Sequence, residues 1–342
     1  MRAARCLRGP DIEPGNKFIT QTVTFYTKDI LTLIMTKQSL KNLTVQPSEL
    51  YEDKLAQLEL IINEANRVRN TDKTMIEGLL GNFYGRTLNV GIEFKRAYGS
   101  ILSGDYFNLT ELPDGNYLFV FADLSGHGLP AYTNLIRLNS SIILAVRESE
   151  RIYCKTGILD TSDLIRDITI KFTDIMEELN NEEFASVLFT FITNQDDKFH
   201  LKFYNHGMFF PMIIRKFRDR TIDVYDLNKS EKGWFPQKGY LMGCALRDIL
   251  GDKYYLCPCC EFTLYEGDRA LFYSDGIVES INPQTGEEFG EGRIRDILIE
   301  NVHSAPQETI DTLFRSLYGY IENPHNQKDD MTSILIDFPL VR

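Results

Sequence analysis

No apolar run in this chain is long enough to cross a bilayer; "Ile30-Leu-Thr-Leu-Ile-Met35" is interrupted within six residues, so membrane insertion is not expected. Basic residues are also in deficit. The 37 Lys and Arg face 49 Asp and Glu, leaving a net charge of −12. Nucleic acids and anionic lipid surfaces require a basic face, so neither fits as the main partner. Arg2, Arg5 and Arg8 lead into no apolar core, which argues against a secretory signal and makes the cytoplasm the default compartment. The chain lacks a Walker A glycine-lysine motif, which excludes a P-loop enzyme, and it contains no internal repeat or low-complexity tract. Paired metal-binding cysteines are scarce too. Six occur, at Cys6, Cys154, Cys244, Cys257, Cys259 and Cys260, and "Cys257-Pro-Cys-Cys260" has no second Cys/His pair at a zinc-finger distance. Reduced thiols on a turn before a strand are the simpler reading.

What is present is ordinary globular material: 342 residues, 43% hydrophobic and 25% charged, enough for one large domain or two smaller ones. Residues 1–45 form an N-terminal segment of mixed composition with a β-rich stretch, "Phe18-Ile-Thr-Gln-Thr-Val-Thr-Phe-Tyr26". Residues 46–87 read as a helical linker. In it Leu55, Leu58, Ile62 and Ala65 recur at three- and four-residue steps, a seam that a homodimer could use, and Arg69 breaks the pattern. From residue 88 to 342 the chain reads as one domain. Its strand-like runs include 117–122, 185–192, 198–204, 212–217, 221–225, 270–274 and 331–336. Helices are expected from Pro130 to Arg147, after an N-cap at Ser162, and over 291–302 and 306–322. Strands joined by short turns form antiparallel sheets with helices packed outside them, an α+β arrangement.

The chemistry-bearing residues lie at strand ends. Asp123 closes the strand 117–122, Asp275 closes 270–274, Asp329 and Asp330 precede 331–336, and Asp105 opens a short apolar run. Any one of these aspartates alone reads as a turn or cap. If the strand ends meet, several carboxylates share one site and repel one another, unless hard divalent cations such as magnesium or manganese bind them. The segment "Gly126-His-Gly-Leu-Pro-Ala131" also fits a dinucleotide-binding fingerprint after a strand. That reading needs a parallel second strand ending in an acid, and "Glu148-Ser-Glu-Arg-Ile-Tyr-Cys154" supplies none. The alternative is that the glycines bring backbone close to a metal shell. A lone histidine there, His127, is more often structural.

In order, "Ser-Gly-Asp105-Tyr-Phe", "Asp123-Leu-Ser-Gly-His-Gly", "Tyr-Ser-Asp275-Gly-Ile-Val-Glu279" and "Asp329-Asp-Met-Thr332" resemble the motifs of the metal-dependent PPM-type protein phosphatases, in the branch of sporulation stage II protein E. The likeness runs over residues 88–338, with weaker echoes at "Phe203-Tyr-Asn-His-Gly207" and "Tyr265-Glu-Gly-Asp268". It implies an α-β-β-α sandwich of two antiparallel sheets flanked by helices, preceded here by the helical linker. It also implies hydrolysis of phosphoserine or phosphothreonine on a regulatory protein by a water bridging two divalent cations, Mn2+ or Mg2+. The absence of a Cys-x5-Arg nucleophile agrees with such chemistry. Carried over residue by residue, Asp105, Asp123, Asp275 and Asp329 are the catalytic metal ligands, helped by the Leu124 carbonyl, with Glu279 and Asp330 as supports behind them. The partner the resemblance implies is a small phosphorylated regulator, such as an anti-sigma factor antagonist. Two departures stand out: Ser103 and Asn108 replace the usual Gly and Asp of the first motif, and the turn at His206 and Met208 differs from the family pattern. They leave a second reading, a catalytically idle metal-binding module that acts by docking a partner.

Overall fold

The computed structural model describes residues 88–338, other than 101, 127, 180–182, 197, 218–220, 231–233 and 245. The expectations for the N-terminal segment, the helical linker and His127 lie outside the described residues. Short, largely apolar strands, many of them buried on both faces, pair into two five-stranded antiparallel sheets. The first sheet has the order β2-β3-β4-β5-β8, with β2 Tyr106–Glu111, β3 Tyr117–Leu124, β4 Ala185–Gln195, β5 Lys198–His206 and β8 Cys259–Leu264. The second has the order β1-β10-β9-β6-β7, with β1 Asn89–Lys95, β6 Met212–Lys216, β7 Ile222–Asp226, β9 Arg269–Tyr273 and β10 Met331–Asp337.

Side-chain alternation sorts each strand between two layers. Phe107, Phe119, Phe121, Leu188 and Phe203 of the first sheet meet Ile92, Ile213, Phe272, Ile334 and Ile336 of the second in one buried core. Phe119 sets its ring edge-on to Phe272 at 4.7 Å, tying the sheets face to face. Each such buried side chain contributes about 1.5–3 kcal/mol. The outer faces are covered by helices. Helix α1 (Leu129–Thr156) and α2 (Thr161–Glu178) lie over the first sheet, where Leu138, Ile142, Ile168 and Phe172 pack against Val120 and Phe189. Short α3 (Arg247–Leu250) and α4 (Asp275–Val278) precede α5 (Gly290–Glu300) and α6 (Pro306–Ile321). Ile294, Leu298, Ile310, Leu313 and Leu317 of α5 and α6 cover Leu271 and Leu335 on the second sheet. The architecture is the α-β-β-α sandwich that the motifs implied.

Several local expectations shift. Helix α1 continues nine residues beyond Arg147, through a charged stretch with no apolar stripe, and stops at Gly157, whose φ of 69° is a left-handed cap. Ser162 is not the N-cap of α2. Asp160 is, its carboxylate accepting from the backbone amides of Ser162 and Asp163, because a carboxylate satisfies orphan amides and the N-terminal dipole together. Strand β1 was not anticipated. Gly91 lowers its strand propensity, yet a Cβ at that position would lie 2.5 Å from the Pro306 carbonyl where α6 crosses.

Candidate active site

Strand registers bring the acidic residues to one end of the sandwich. In the first sheet Tyr106 pairs with Ala122, so one step further along the register sets Asp105 opposite Asp123. In the second, Ser333 pairs with Tyr273, and beyond that pair Ser274 and Thr332 continue the ladder, with the Ser274 amide donating to the Thr332 carbonyl at 3.0 Å. Asp275 follows directly and opens α4. Asp329 and Asp330 stand just before β10.

Hydrogen bonds join the two sheets across this end. The Asp330 carboxylate accepts from the amide of Ala97 at 2.8 Å and from that of Gly104 at 2.6 Å, so it anchors both the exit of β1 and the turn that carries Asp105. Thr332 Oγ1 donates to Asp105 Oδ2 at 2.6 Å, and the Asp105 amide donates to Ser103 Oγ at 3.1 Å. The Thr332 amide in turn donates to Ser274 Oγ at 2.9 Å. Asp329 Oδ1 accepts from the Asp330 amide at 2.8 Å, while Gln327 Nε2 holds the Asp329 carbonyl and the Arg96 carbonyl together. Two glycines allow the close approach. A Cβ on Gly104 would come within 2.6 Å of the Leu124 carbonyl, and one on Gly276 within 2.0 Å of the Asp330 carbonyl.

These side chains share one electrostatic field. Asp105 is 4% exposed, and burial followed by the Asp330 charge pushes its carboxyl up to about 8, although Thr332 and Ser274 pull the other way. Loss of hydration and then the charges of Asp105, Asp275, Asp329 and Asp330 raise half-buried Asp123 to about 10. Asp275 is raised by burial and then by Glu279, which stands exposed at the end of α4. The donor set is oxygen only and rich in carboxylates, which fits a hard divalent cation. Among the described residues, however, no three His, Cys, Asp or Glu side chains stand at metal-holding spacing. The carboxylates gather at one mouth of the sandwich.

Other sequence signals resolve differently. Asn108 lies on the helix-facing side of β2 with Tyr106, while Phe107 and Leu109 face the inter-sheet core. It accepts from Thr110 Oγ1 at 3.1 Å, so that departure from the motif lies away from Asp105. His206 is fully buried, its Nδ1 2.7 Å from the Tyr240 carbonyl, and burial lowers its pKa to about 4. A ring so held stays neutral. Cys257 and Cys260 are thiols seated against the Asn205 and Gln237 backbone, and burial raises Cys257 to about 12. Thr332, Ser274 and Gln327 were given no role from sequence. Thr332 stands in the quoted Asp-Asp-Met-Thr run, and its β-position facing the core was the available signal.

Residues 237–339 match the family described as stage II sporulation protein E (SpoIIE). Among solved structures, the PP2C domain of SiaA from Pseudomonas aeruginosa superposes with a TM-score of 0.58 at 17% identity, covering 83% of this chain and 98% of that one. The chain has the fold of a PP2C domain. The phosphatase domain and regulatory fragment of SpoIIE from Bacillus subtilis give a TM-score of 0.52 at 19% identity, over 75% of this chain and 64% of that one. The RsbU and RsbW domains of a Mycobacterium tuberculosis protein give 0.51 at 17% identity, over 75% and 61%. This chain spans less than two thirds of these last two. No curated protein sequence is similar enough to match it. No helix among the described residues is long and apolar enough to cross a membrane.

Proposed function

We propose that this protein hydrolyses phosphoserine or phosphothreonine on a regulatory protein, using two divalent cations, manganese or magnesium, at the acidic mouth of the sandwich. The observation that carries the reading is the set of carboxylates Asp105, Asp123 and Asp275, gathered by two different sheets and raised in pKa by burial and by neighbouring acids. Asp105, Asp123, Asp275, Asp329 and the Leu124 carbonyl would hold the ions, and residues 88–342 would form the phosphatase domain behind the linker. When bound, such ions supply a water nucleophile at neutral pH and charge that stabilises the phosphoryl oxygens.

The rest of the chemistry falls to the protein. Asp330 fixes the Gly104 turn through its two amide bonds, and Thr332 orients the Asp105 carboxylate by a 2.6 Å bond. Neutral, buried His206 takes no part in proton transfer. A partner-switching role, with a phosphorylated antagonist as substrate, is supported by the likeness to structures named for RsbU, RsbW and SpoIIE. A second reading, the idle docking module, is motivated by the departures from the first motif at Ser103 and Asn108. Manganese titration of p-nitrophenyl phosphate and phosphopeptide hydrolysis separates the two. The enzyme reading expects turnover that depends on manganese and is lost in Asp123→Asn. Turnover that survives chelation would overturn the mechanism, and metal binding without turnover would favour the idle module.

A further inference from the structure

We infer that Glu183 is a positioning residue for the loop that follows Asp123 and the Leu124 carbonyl, acting through a ring of contacts that no motif contains. The inference rests on the metal-site reading above and adds a residue to it. After Asp123 the chain turns through Gly126 and Gly128, with φ of 80° and 76°, before α1 begins. Two left-handed glycines give this loop little rigidity of its own. Its clearest anchor is reciprocal: the Ser125 amide donates to the Phe184 carbonyl at 2.9 Å, and the Phe184 amide donates to Ser125 Oγ at 2.9 Å. By contrast, the Leu124 amide reaches the Gly104 carbonyl only at 3.4 Å. The placement of the loop therefore follows the placement of residues 183–185.

That segment is fixed from two sides. Ala185 exchanges both backbone bonds with Met242, at 2.9 and 3.0 Å. On the other side the Glu183 carboxylate accepts from Asn134 Nδ2, and Asn134 Oδ1 accepts from Arg137 Nη1 at 2.5 Å. Asn134 is fully buried inside α1, the helix that the loop itself starts. The path from Asp123 through Ser125, Phe184, Glu183 and Asn134 returns along α1 to the loop. Arg137 completes it with charge, since Glu183 raises its pKa against the lowering effect of burial. Asn134 thus links the Glu183 carboxylate to the Arg137 guanidinium, and the ring holds the loop in one geometry.

The test is manganese binding, by calorimetry and by the paramagnetic resonance of the bound ion, on the full chain. Glu183→Ala should bind manganese up to about tenfold more weakly, the lower end of the scale for groups bonded directly to a metal ligand, since Glu183 acts through Phe184 and Ser125. Its melting temperature in chelator should stay within about 3 °C of the parent, because the sheets and both helix layers remain packed. Glu183→Gln, which keeps an oxygen toward Asn134, should stay within about threefold of the parent. Equal affinity in Glu183→Ala and the parent would overturn the inference while leaving the site reading intact. A loss of affinity matched by a large fall in melting temperature would also overturn it, as general destabilisation. Failure of the parent itself to bind manganese would instead overturn the site reading.

Discussion

Adding manganese to the metal-free protein should expel protons, and the number can be worked from the site. An ordinary aspartate titrates near 3.8, whereas burial and neighbouring charge push Asp105 to about 8 and Asp123 to about 10. At pH 7 both therefore carry protons in the metal-free fold, and both must ionise to become ligands, so binding should release between about one and two protons per chain. By pH 9 Asp105 has already ionised, and the release should fall by about one. The same shift sets the sign of metal-free stability. Because the folded pKa of Asp105 lies above its unfolded value, its contribution is fully present below about pH 4 and is lost as pH climbs through about 8. In that window Asp105 alone costs about 1.4 kcal/mol for each unit of rising pH. Calorimetry in two buffers of different ionisation enthalpy counts the protons, and urea melts in chelator across pH 5–8 follow the stability. Proton release near zero at pH 7, or metal-free stability that rises with pH across that window, would refute the picture of uncompensated carboxylates.

Removing the Asp330 carboxylate as Asp330→Ala should leave the Ala97 and Gly104 amides without their acceptor and cost about 2–4 kcal/mol in urea melts, together with weaker manganese binding. Gly276→Ala would place a Cβ 2.0 Å from a backbone carbonyl, so a backbone shift beside Asp275 should lower stability by about 1–3 kcal/mol and reduce phosphatase turnover. Far from the site, Arg269 is 1% exposed, and its guanidinium binds Asp337 together with the carbonyls of Asn301, Val302 and Ser304. Arg269→Ala should therefore destabilise the fold by about 3–5 kcal/mol, read from the denaturation midpoint, with manganese affinity unchanged.

Strand identity was legible where short, mostly apolar runs are bounded by polar turn residues, as in Tyr117–Leu124 and Met331–Asp337, because strands covered on both faces read as continuous runs. Helix ends were less so. The last nine residues of α1 carry charges without a stripe, and that stretch is helical by continuation of the backbone ladder rather than by burial. Gly91 reads as a strand breaker until α6 is seen crossing over it.

By itself the sequence determined which residues could carry chemistry: acids set at strand ends, glycines beside them, and no thiol or P-loop alternative, all properties of local spacing and residue type. Only the tertiary structure decided how they are used. Strands β3 and β9 lie in different sheets, so the meeting of Asp123 with Asp275 depends on how two surfaces stack. Residues 183–185 likewise reach Ser125 only because β4 pairs with β3. Contacts between residues far apart in the chain arise from packing of whole layers, and no short stretch of sequence encodes that packing.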